Sequence, residues 1–390
     1  MRITVPMGTR PEVVKLAGVV RALRGAGHDV RCIATGQHSD RRMAGDFFED
    51  LGCPPDAVWE LSGTEGHRVG VLLQRAFDEL ERHTPEALLV LGDTYTAPLT
   101  AMAARRLGVG VVHLEAGLRS FNERSMEETN RRMMVALATV HLAPTQAAAA
   151  MLACEGVPEE RIRVVGNPVI DALVASGVER VPVQERRGVL LTAHRATNVD
   201  DAERLAELVS LIRRLGREFA PVTFPAHPRT RSRLEAAGLL ETVASAPGVE
   251  LLEPVPYGDL LRTLAASRVV VTDSGGLQEE ASFFGVPGVV LRATTPRWES
   301  VADGSVILTG LDAGRALAAV RTLAGESEQR RIAALSCPYG EGDTAARVVG
   351  ALADPAILRL LPPAEPALTN ELPEAFPHGD ATARVRAVPA

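Results

Sequence analysis

Cysteine and aromatic residues are scarce in this chain. Its 390 residues include four cysteines, widely spaced and without a Cys-x-x-Cys pair. This argues against a disulfide framework or a cysteine-based metal site, and it is typical of a protein from a reducing compartment. Aromatic residues make up 4% of the chain, so its 46% hydrophobic residues must build the core largely from Ala, Val and Leu.

The sequence also lacks clusters of basic residues and long apolar runs. The net charge of −7 and the lack of a Lys/Arg-rich run argue against a general nucleic-acid surface. No apolar run reaches 18 residues, and Met1 leads directly into an apolar strand pattern rather than a signal peptide. We therefore expect a soluble cytoplasmic protein that binds neither nucleic acid nor membrane.

Several common cofactor and catalytic motifs are absent. The sequence contains no P-loop, no His-Glu-x-x-His and no Gly-x-Ser-x-Gly pattern. Residues 108–113, GVGVVH, lack the third glycine of a dinucleotide fingerprint and precede a strand instead of following one. The sequence therefore predicts neither a metal nor a bound cofactor.

Apolar strand patterns alternate with helical patterns in two successive series. Each series has the order expected of a parallel sheet covered by helices. The strand patterns lie at 1–7, 28–34, 87–91, 109–114 and 140–143, and then at 188–192, 222–225, 249–252, 269–271, 288–292 and 305–308. This predicts an α/β fold of two doubly wound Rossmann-like domains, whose parallel sheets face a central cleft.

The predicted domain limits follow from this alternation. We assign residues 1–168 to an N-terminal Rossmann-like domain and residues 169–345 to a C-terminal one, with polar residues 177–187 as a linker. Residues 346–361 are expected to form a C-terminal helix that packs back on the N-terminal domain. Residues 362–390 repeat Pro and Ala without periodicity, which is typical of a disordered tail.

Residues 269–292, VVVTDSGGLQEEASFFGVPGVVLR, have the most informative pattern. A β-branched run is followed by the turn Ser274-Gly275-Gly276 and then by a helix, so free N–H groups and the helix dipole favour an anion at the turn. Glu280 lies six residues after Ser274, roughly 9 Å along a helix, which is about the distance from the phosphates of a nucleotide to its ribose hydroxyls. A tight turn before an exposed acidic helix is the alternative.

Polar residues follow predicted strands of the first domain, and one follows the first strand of the second domain on the opposite side of the cleft. They are Arg10, Gln37, Asp93, Glu115 and His194. In a doubly wound domain such residues point into one crevice. Asp93 is also explained as a helix N-cap and His194 as a structural histidine, whereas glutamate caps poorly, which favours a functional Glu115.

Two further helices carry charged residues that suit the same crevice. Lys15 lies one turn into the first helix and, with Arg10, suits a diphosphate, although a solvated helix face explains it equally well. Glu127 and Arg131 are spaced i,i+4 on another predicted helix. A weak surface ion pair is the alternative explanation for these two.

Taken together, ordered blocks of sequence resemble the non-hydrolysing UDP-N-acetylglucosamine 2-epimerase family, whose two-domain architecture is that of GT-B glycosyltransferases. The matches extend from Met1 to about Ala353. They comprise GTRPE at 8–12 with Lys15, TGQH at 35–38, GDT at 92–94, HLEAGLRS at 113–120, EETNR at 127–131, GNPVID at 166–171, TAHR at 192–195, TDSGGLQEEA at 272–281 and RATTPRWE at 292–299.

The resemblance implies reversible epimerisation of UDP-GlcNAc to UDP-ManNAc, through elimination of UDP to 2-acetamidoglucal and its re-addition. The residues that match the catalytic and supporting positions of the family are Asp93, Glu115, Glu127, Arg131 and His194. Those that match its UDP contacts are Arg10, Lys15, Ser274, Gly275, Gly276, Glu280 and Arg297, with Val255 and Leu260 near the uracil. The resemblance also implies a homodimer.

Some positions depart from the family pattern, and two other enzymatic functions stay open. Thr197 and Ala293 replace acidic residues, while Met126 and Trp298 replace prolines. A hydrolysing relative would release ManNAc and UDP by the same glycal chemistry. A GT-B glycosyltransferase would use the UDP-sugar as a donor and would not need Glu115 or Glu127.

Overall fold

A computed structural model describes residues 1–36, 48 and 51–362 of the chain. Gln37 and the predicted tail beyond residue 362 lie outside the described residues. Among those that are described, no helix is long and apolar enough to cross a membrane. The same residues include no group of three or more His, Cys, Asp or Glu side chains placed to hold a metal ion.

The first half of the chain forms a seven-stranded parallel sheet. Its strands are short apolar runs, as buried parallel strands require, and their bounds are β1 (Arg2–Met7), β2 (Asp29–Ala34), β3 (Ala57–Val58), β4 (Ala87–Leu91), β5 (Gly110–Leu114), β6 (Val140–Ala143) and β7 (Ile162–Val164). The strand order is β3-β2-β1-β4-β5-β6-β7. The order therefore reverses between β1 and β4, where a doubly wound sheet opens a crevice.

The described part of this half contains six helices, of which the first five cover this sheet on both faces and the sixth packs in the core of the second half. They are α1 (Arg10–Gly25), α2 (Glu65–His83), α3 (Thr96–Arg106), α4 (Met126–Leu137), α5 (Gln146–Cys154) and α6 (Pro168–Ala175). Leu16, Val20 and Leu23 of α1 pack with Ile3 and Val5 of β1 on one face. On the other face, the helices α2 and α3 pack on β4 and β5.

A second parallel sheet repeats this architecture. Its strands are β8 (Arg187–Thr192), β9 (Val222–Pro225), β10 (Val249–Leu252), β11 (Ser267–Thr272), β12 (Gly288–Val290) and β13 (Val306–Leu308), in the order β10-β9-β8-β11-β12-β13. The order reverses between β8 and β11. The two halves thus confirm the predicted α/β class of two doubly wound parallel sheets.

The helices of the second half are shorter and more numerous. Those described are α7 (Ala196–Val199), α8 (Ala202–Glu218), α9 (Pro228–Ala236), α10 (Leu240–Ala244), α11 (Tyr257–Ala266), α12 (Gly276–Phe284), α13 (Trp298–Ala302), α14 (Ala313–Leu323), α15 (Glu326–Ala333), α16 (Thr344–Ala353) and α17 (Pro355–Leu358). Helices α8 and α14 lie on one face of the sheet and α11 and α12 on the other.

The chain returns to the first sheet at its C-terminal end. Val348 and Leu352 of α16, with Ile357 and Leu361, are buried in the cluster that contains Ile3. The segment proposed as a linker is not free of structure, because buried Arg186 donates to the carbonyl oxygens of Val181, Phe284 and Gly285. The exact domain limits given above stay predictions.

Candidate active site between the two sheets

The turn after β1 is built around one buried glutamate. Thr9 and Glu12 form a capping box at the start of α1. The Glu12 carboxylate accepts the N–H groups of Gly8 and Thr9, each at 2.7 Å, and the Thr94 hydroxyl at 2.7 Å. Burial raises the pKa of Glu12 to about 6. Glu12 thereby links the ends of β1 and β4 and sets the position of exposed Arg10, the first residue of α1.

The carboxylate of Asp93, after β4, is bound by Arg131 of α4. The Arg131 Nε lies 2.9 Å from Asp93 Oδ2, and a second nitrogen donates to the same oxygen. Burial disfavours the charge of Asp93, but Arg131, together with Arg297 and Lys15, holds the pKa of Asp93 below its usual value. Helix α3 begins at Thr96 with Tyr95 as its N-cap, so the alternative in which Asp93 caps a helix is wrong.

Glu115 follows β5 with a backbone φ of +62°. A left-handed conformation is uncommon for a residue other than glycine, and such residues cluster at functional sites. The Glu115 carboxylate accepts a hydrogen bond from Lys15 of α1. Burial opposes the charge of Lys15, yet Glu115 and Glu279 together raise the pKa of Lys15 above its usual value.

Glu127, at the start of α4, pairs across the cleft. Its carboxylate accepts from the Ser125 hydroxyl at 2.6 Å and from Arg195, which follows β8, at 3.2 Å. Burial opposes its charge, but the Ser125 hydroxyl and Arg195 hold the pKa of Glu127 below its usual value. No Glu127–Arg131 ion pair forms between these two described residues, because Arg131 is held by Asp93 and by Glu128 at 2.6 Å.

The end of β8 is organised by buried Asp273. The Asp273 carboxylate accepts the N–H groups of His194 at 3.0 Å and Arg195 at 2.9 Å, and the Asn198 amide at 3.1 Å. The Nδ1 of His194 lies 3.2 Å from Asp273 Oδ1. Burial lowers the pKa of His194, although Asp273 opposes that shift. It is therefore Arg195, not the predicted His194, whose side chain reaches a carboxylate of the first half.

The Ser-Gly-Gly turn begins α12 under the guanidinium of Arg297. The Ser274 N–H donates to the Thr272 hydroxyl at 2.9 Å, and α12 starts at Gly276. A Cβ on Gly275 would lie 3.1 Å from a terminal nitrogen of Arg297, so this arginine packs directly on the turn. The arrangement offers backbone N–H groups and a cation to an anion.

Glu279, which the sequence analysis did not single out, joins the two halves. It is fully buried. It accepts from Arg297 at 2.8 Å and from Asn167 at 3.0 Å, and it lies 3.4 Å from Lys15 of α1. Burial opposes its charge, but Arg297 and Lys15 hold the pKa of Glu279 below its usual value. Lys15 thus bridges a carboxylate of each half, Glu115 and Glu279.

Glu280 points to a different neighbour. Its carboxylate accepts from the Tyr257 hydroxyl at 2.8 Å, and burial raises the pKa of Glu280 to about 7. Val255 and Leu260 flank Tyr257 in the chain, and both are half-buried. The segment predicted to lie near a uracil therefore lies beside the glutamate predicted to bind a ribose.

The raised pKa of Glu280 predicts a pH-dependent stability. The folded-state pKa of about 7 exceeds the ordinary value of 4.5. The contribution of Glu280 to the free energy of unfolding is therefore fully present below pH 4.5 and is lost as the pH rises toward 7. The free energy of unfolding of the wild type should therefore fall relative to Glu280→Gln by about 3 kcal/mol between pH 4.5 and 8. Urea unfolding of both proteins at several pH values measures this difference, and parallel pH profiles would refute the shift.

A contact at the rim of the cleft also crosses between the halves. Trp298, one of the departures from the family pattern, donates from Nε1 to the carbonyl oxygen of Arg119 at 3.0 Å. Its ring lies 6.5 Å from that of Phe121, centroid to centroid. Thr197 and Ala293, two further departures, are exposed.

Comparisons with known proteins agree on one family. The family model described as UDP-N-acetylglucosamine 2-epimerase matches residues 21–353. The chain is similar to the UDP-N-acetylglucosamine 2-epimerase of Methanocaldococcus jannaschii, with 35% identity over 90% of this chain and 98% of that protein. It is also similar to the UDP-2,3-diacetamido-2,3-dideoxy-D-glucuronate 2-epimerase of Pseudomonas aeruginosa, with 35% identity over 90% of this chain and 99% of that protein.

A solved structure of a family member has the same fold. The crystal structure of the M. jannaschii UDP-GlcNAc 2-epimerase, in complex with UDP-GlcNAc and UDP, superposes with a TM-score of 0.80 at 35% identity. The match covers 90% of this chain and 99% of that one. The two-domain fold predicted from the sequence is therefore the fold of a nucleotide-sugar epimerase.

Proposed function

The chain belongs to the UDP-N-acetylglucosamine 2-epimerase family, and from this premise we propose that it inverts C2 of UDP-GlcNAc to give UDP-ManNAc. The observation that carries the proposal is the meeting of two groups of residues in one cleft. Asp93, Glu115 and Glu127 come from the first half, and the Ser274–Gly276 turn with Arg297 comes from the second. Lys15 connects the groups, because it contacts both Glu115 and Glu279.

The chemistry requires this combination. The C2 proton has no adjacent carbonyl to acidify it, so direct abstraction would be slow. Elimination instead removes the C2 proton and breaks the C1–O bond, whose electron pair goes to the β-phosphate, leaving UDP and 2-acetamidoglucal. Re-addition of UDP with protonation of the opposite face of C2 gives the epimer.

The carboxylates are proposed to carry the protons and to stabilise the positive charge that develops at C1. General acid–base catalysis of this kind supplies about 10²- to 10⁴-fold. Arg131 fixes Asp93 by two hydrogen bonds to one oxygen, which keeps that carboxylate ionised and oriented. His194 and Arg195 are ordered by Asp273 and lie at the second-half wall of the cleft.

The second half is proposed to hold the nucleotide. The N–H groups of Gly275 and Gly276, the hydroxyl of Ser274 and the guanidinium of Arg297 suit the diphosphate, with Arg10 and Lys15 opposite. Glu280 suits the ribose hydroxyls, and Val255 and Leu260 the uracil. A homodimer and a cytoplasmic location remain predictions that follow from the family resemblance and the composition.

A second substrate deserves a parallel test, since the P. aeruginosa relative named for a diacetamido glucuronate is as similar, at 35% identity, as the UDP-GlcNAc epimerase of M. jannaschii. The purified chain should be incubated with each UDP-sugar in D₂O and followed by proton NMR. Deuterium at C2 together with the epimeric UDP-sugar supports epimerisation and identifies the substrate. Free ManNAc would indicate hydrolysis, and two unchanged nucleotide sugars would defeat the proposal.

A further inference from the structure

Arg292 lies at the edge of the second sheet that carries the Ser-Gly-Gly turn. It follows β12 by two residues. The preceding residue, Leu291, donates its N–H to the Thr272 carbonyl at 2.8 Å and accepts the Asn198 amide at 3.0 Å. The backbone before Arg292 is therefore fixed beside Asp273 and Ser274. The side chain of Arg292 is half-buried, at the same end of the cleft as Arg297.

The charges around Arg292 are mostly of its own sign. Burial lowers its pKa to about 10, and the positive charges of Arg195, Arg297 and Arg131 act in the same direction. Glu127 opposes them, but Arg195 already pairs with Glu127 at 3.2 Å. Arg292 is thus held among like charges at the point where the two halves meet.

The other cations of this cluster each have a carboxylate partner. Lys15 binds Glu115 and Glu279, Arg131 binds Asp93 and Glu128, and Arg297 binds Glu279. Within the described part of the chain, the guanidinium of Arg292 makes neither a hydrogen bond nor an ion pair. The charges of its neighbours are neutralised locally, whereas that of Arg292 is not.

We propose that Arg292 contacts the β-phosphate of the nucleotide sugar and stabilises the charge that this phosphate gains when the C1–O bond breaks. The proposal rests on the proposed function. No carboxylate neutralises Arg292, and its neighbours Ser274–Gly276 and Arg297 form the anion-binding turn. A preorganised donor aimed at developing charge lowers the barrier more than it strengthens substrate binding.

The charge balance explains why such a group is needed. The diphosphate of a UDP-sugar carries two negative charges. In the elimination, the C2 proton goes to a carboxylate and the C1–O electron pair goes to the bridging oxygen, so the diphosphate of UDP gains one further negative charge. The paired cations already offset carboxylates, and Arg292 supplies the positive charge that meets this increase.

The test compares Arg292→Met, which removes the charge at similar length, with Arg292→Lys, which keeps it. The Met variant should lose about 10²- to 10³-fold in kcat, with a smaller change in KM. Its Kd for UDP should rise by about tenfold or more, since a hydrogen bond to a charged group contributes about 1.5–3 kcal/mol. The Lys variant should recover part of kcat. Steady-state kinetics and calorimetry with UDP measure these quantities.

Thermal unfolding separates this role from a structural one. Because Arg292 has no partner to lose and three like charges nearby, Arg292→Met should melt no lower than the wild type. Arg315→Met, which alters an exposed arginine of α14, serves as the matched control and should leave kcat and the melting temperature unchanged.

The possible failures can be told apart. A wild type that turns over neither UDP-sugar would defeat the proposed function and this role with it. An active wild type with an equally active Arg292→Met would overturn the role of Arg292 alone. A Met variant that loses activity only because it melts lower would likewise overturn it, by showing that the residue is structural.

Discussion

Replacing Glu115 or Glu127 by glutamine should lower kcat by about 10²- to 10⁴-fold while changing the Kd for UDP little. Glutamine keeps the shape of glutamate and an oxygen that accepts from Lys15 or from Ser125 and Arg195. It cannot take up a proton at the pH of the reaction or offset positive charge at C1. Turnover assays and calorimetry with UDP measure the two effects separately.

Glu123→Gln is the matched control for this pair. Glu123 is exposed and lies four residues before Glu127 in the same segment, so its replacement should leave kcat within about twofold, as surface substitutions usually do. If the Glu115 and Glu127 variants lost UDP binding together with turnover, the carboxylates would be structural supports of the nucleotide site. If they kept full activity, the elimination chemistry proposed for them would be wrong.

Replacing Glu279 by alanine should lower the free energy of unfolding by about 3–5 kcal/mol, the usual cost of leaving a buried charge without its partner. The variant would leave Lys15 and Arg297, both largely buried, without the carboxylate that they share. Asn167 would lose its acceptor as well. Urea unfolding measures the loss.

Two further measurements sharpen this prediction. UDP should raise the melting temperature of Glu279→Ala more than that of the wild type, because a diphosphate bound between Lys15 and Arg297 would restore the missing negative charge. Glu326→Ala removes a glutamate that is 70% exposed and paired with Arg330, and it should cost at most about 1 kcal/mol. Equal losses in the two variants would contradict the central place given to Glu279.

Most strands of both sheets were predictable from the sequence, and several bounds agree to the residue. Strands 87–91 and 140–143 of the first sheet, and 222–225 and 249–252 of the second, match the structure. Short apolar runs bounded by turn residues carry a strong signal in a parallel sheet. Strands β3 and β7, of two and three residues, carry little periodicity and were not predicted.

The sequence analysis also placed the main polar residues at the correct ends of strands. Asp93 after β4, Glu115 after β5 and Ser274 after β11 all border one cleft, because parallel strands bring their C-terminal ends to one edge. The sequence does not reveal which charged side chains form ion pairs between the two halves. Glu279 meets Lys15 across 264 positions of the chain, and no local pattern distinguishes it from its neighbour Glu280.

The position of Arg292 near the end of a strand also indicates a site residue, but the sequence analysis did not include it. Arg292 is the last residue of the predicted strand 288–292, and in the structure the strand ends at Val290. With that shorter strand, Arg292 follows a strand end as Asp93 and Glu115 do, and the same argument from position includes it. Its lack of a partner, which makes it informative, depends on how Arg131, Arg195 and Arg297 are each occupied by carboxylates. Those pairings depend on the tertiary structure and are not visible in the sequence.

The most direct test of the whole account is a crystal structure of the protein with UDP. We expect the β-phosphate to lie within hydrogen-bond distance, about 3 Å, of N–H groups in the Ser274–Gly276 turn, with its free end facing Asp93, Glu115 and Glu127. A UDP molecule bound at this turn but with its β-phosphate directed away from all three carboxylates would contradict the proposed chemistry. One bound elsewhere on the protein would contradict the site itself.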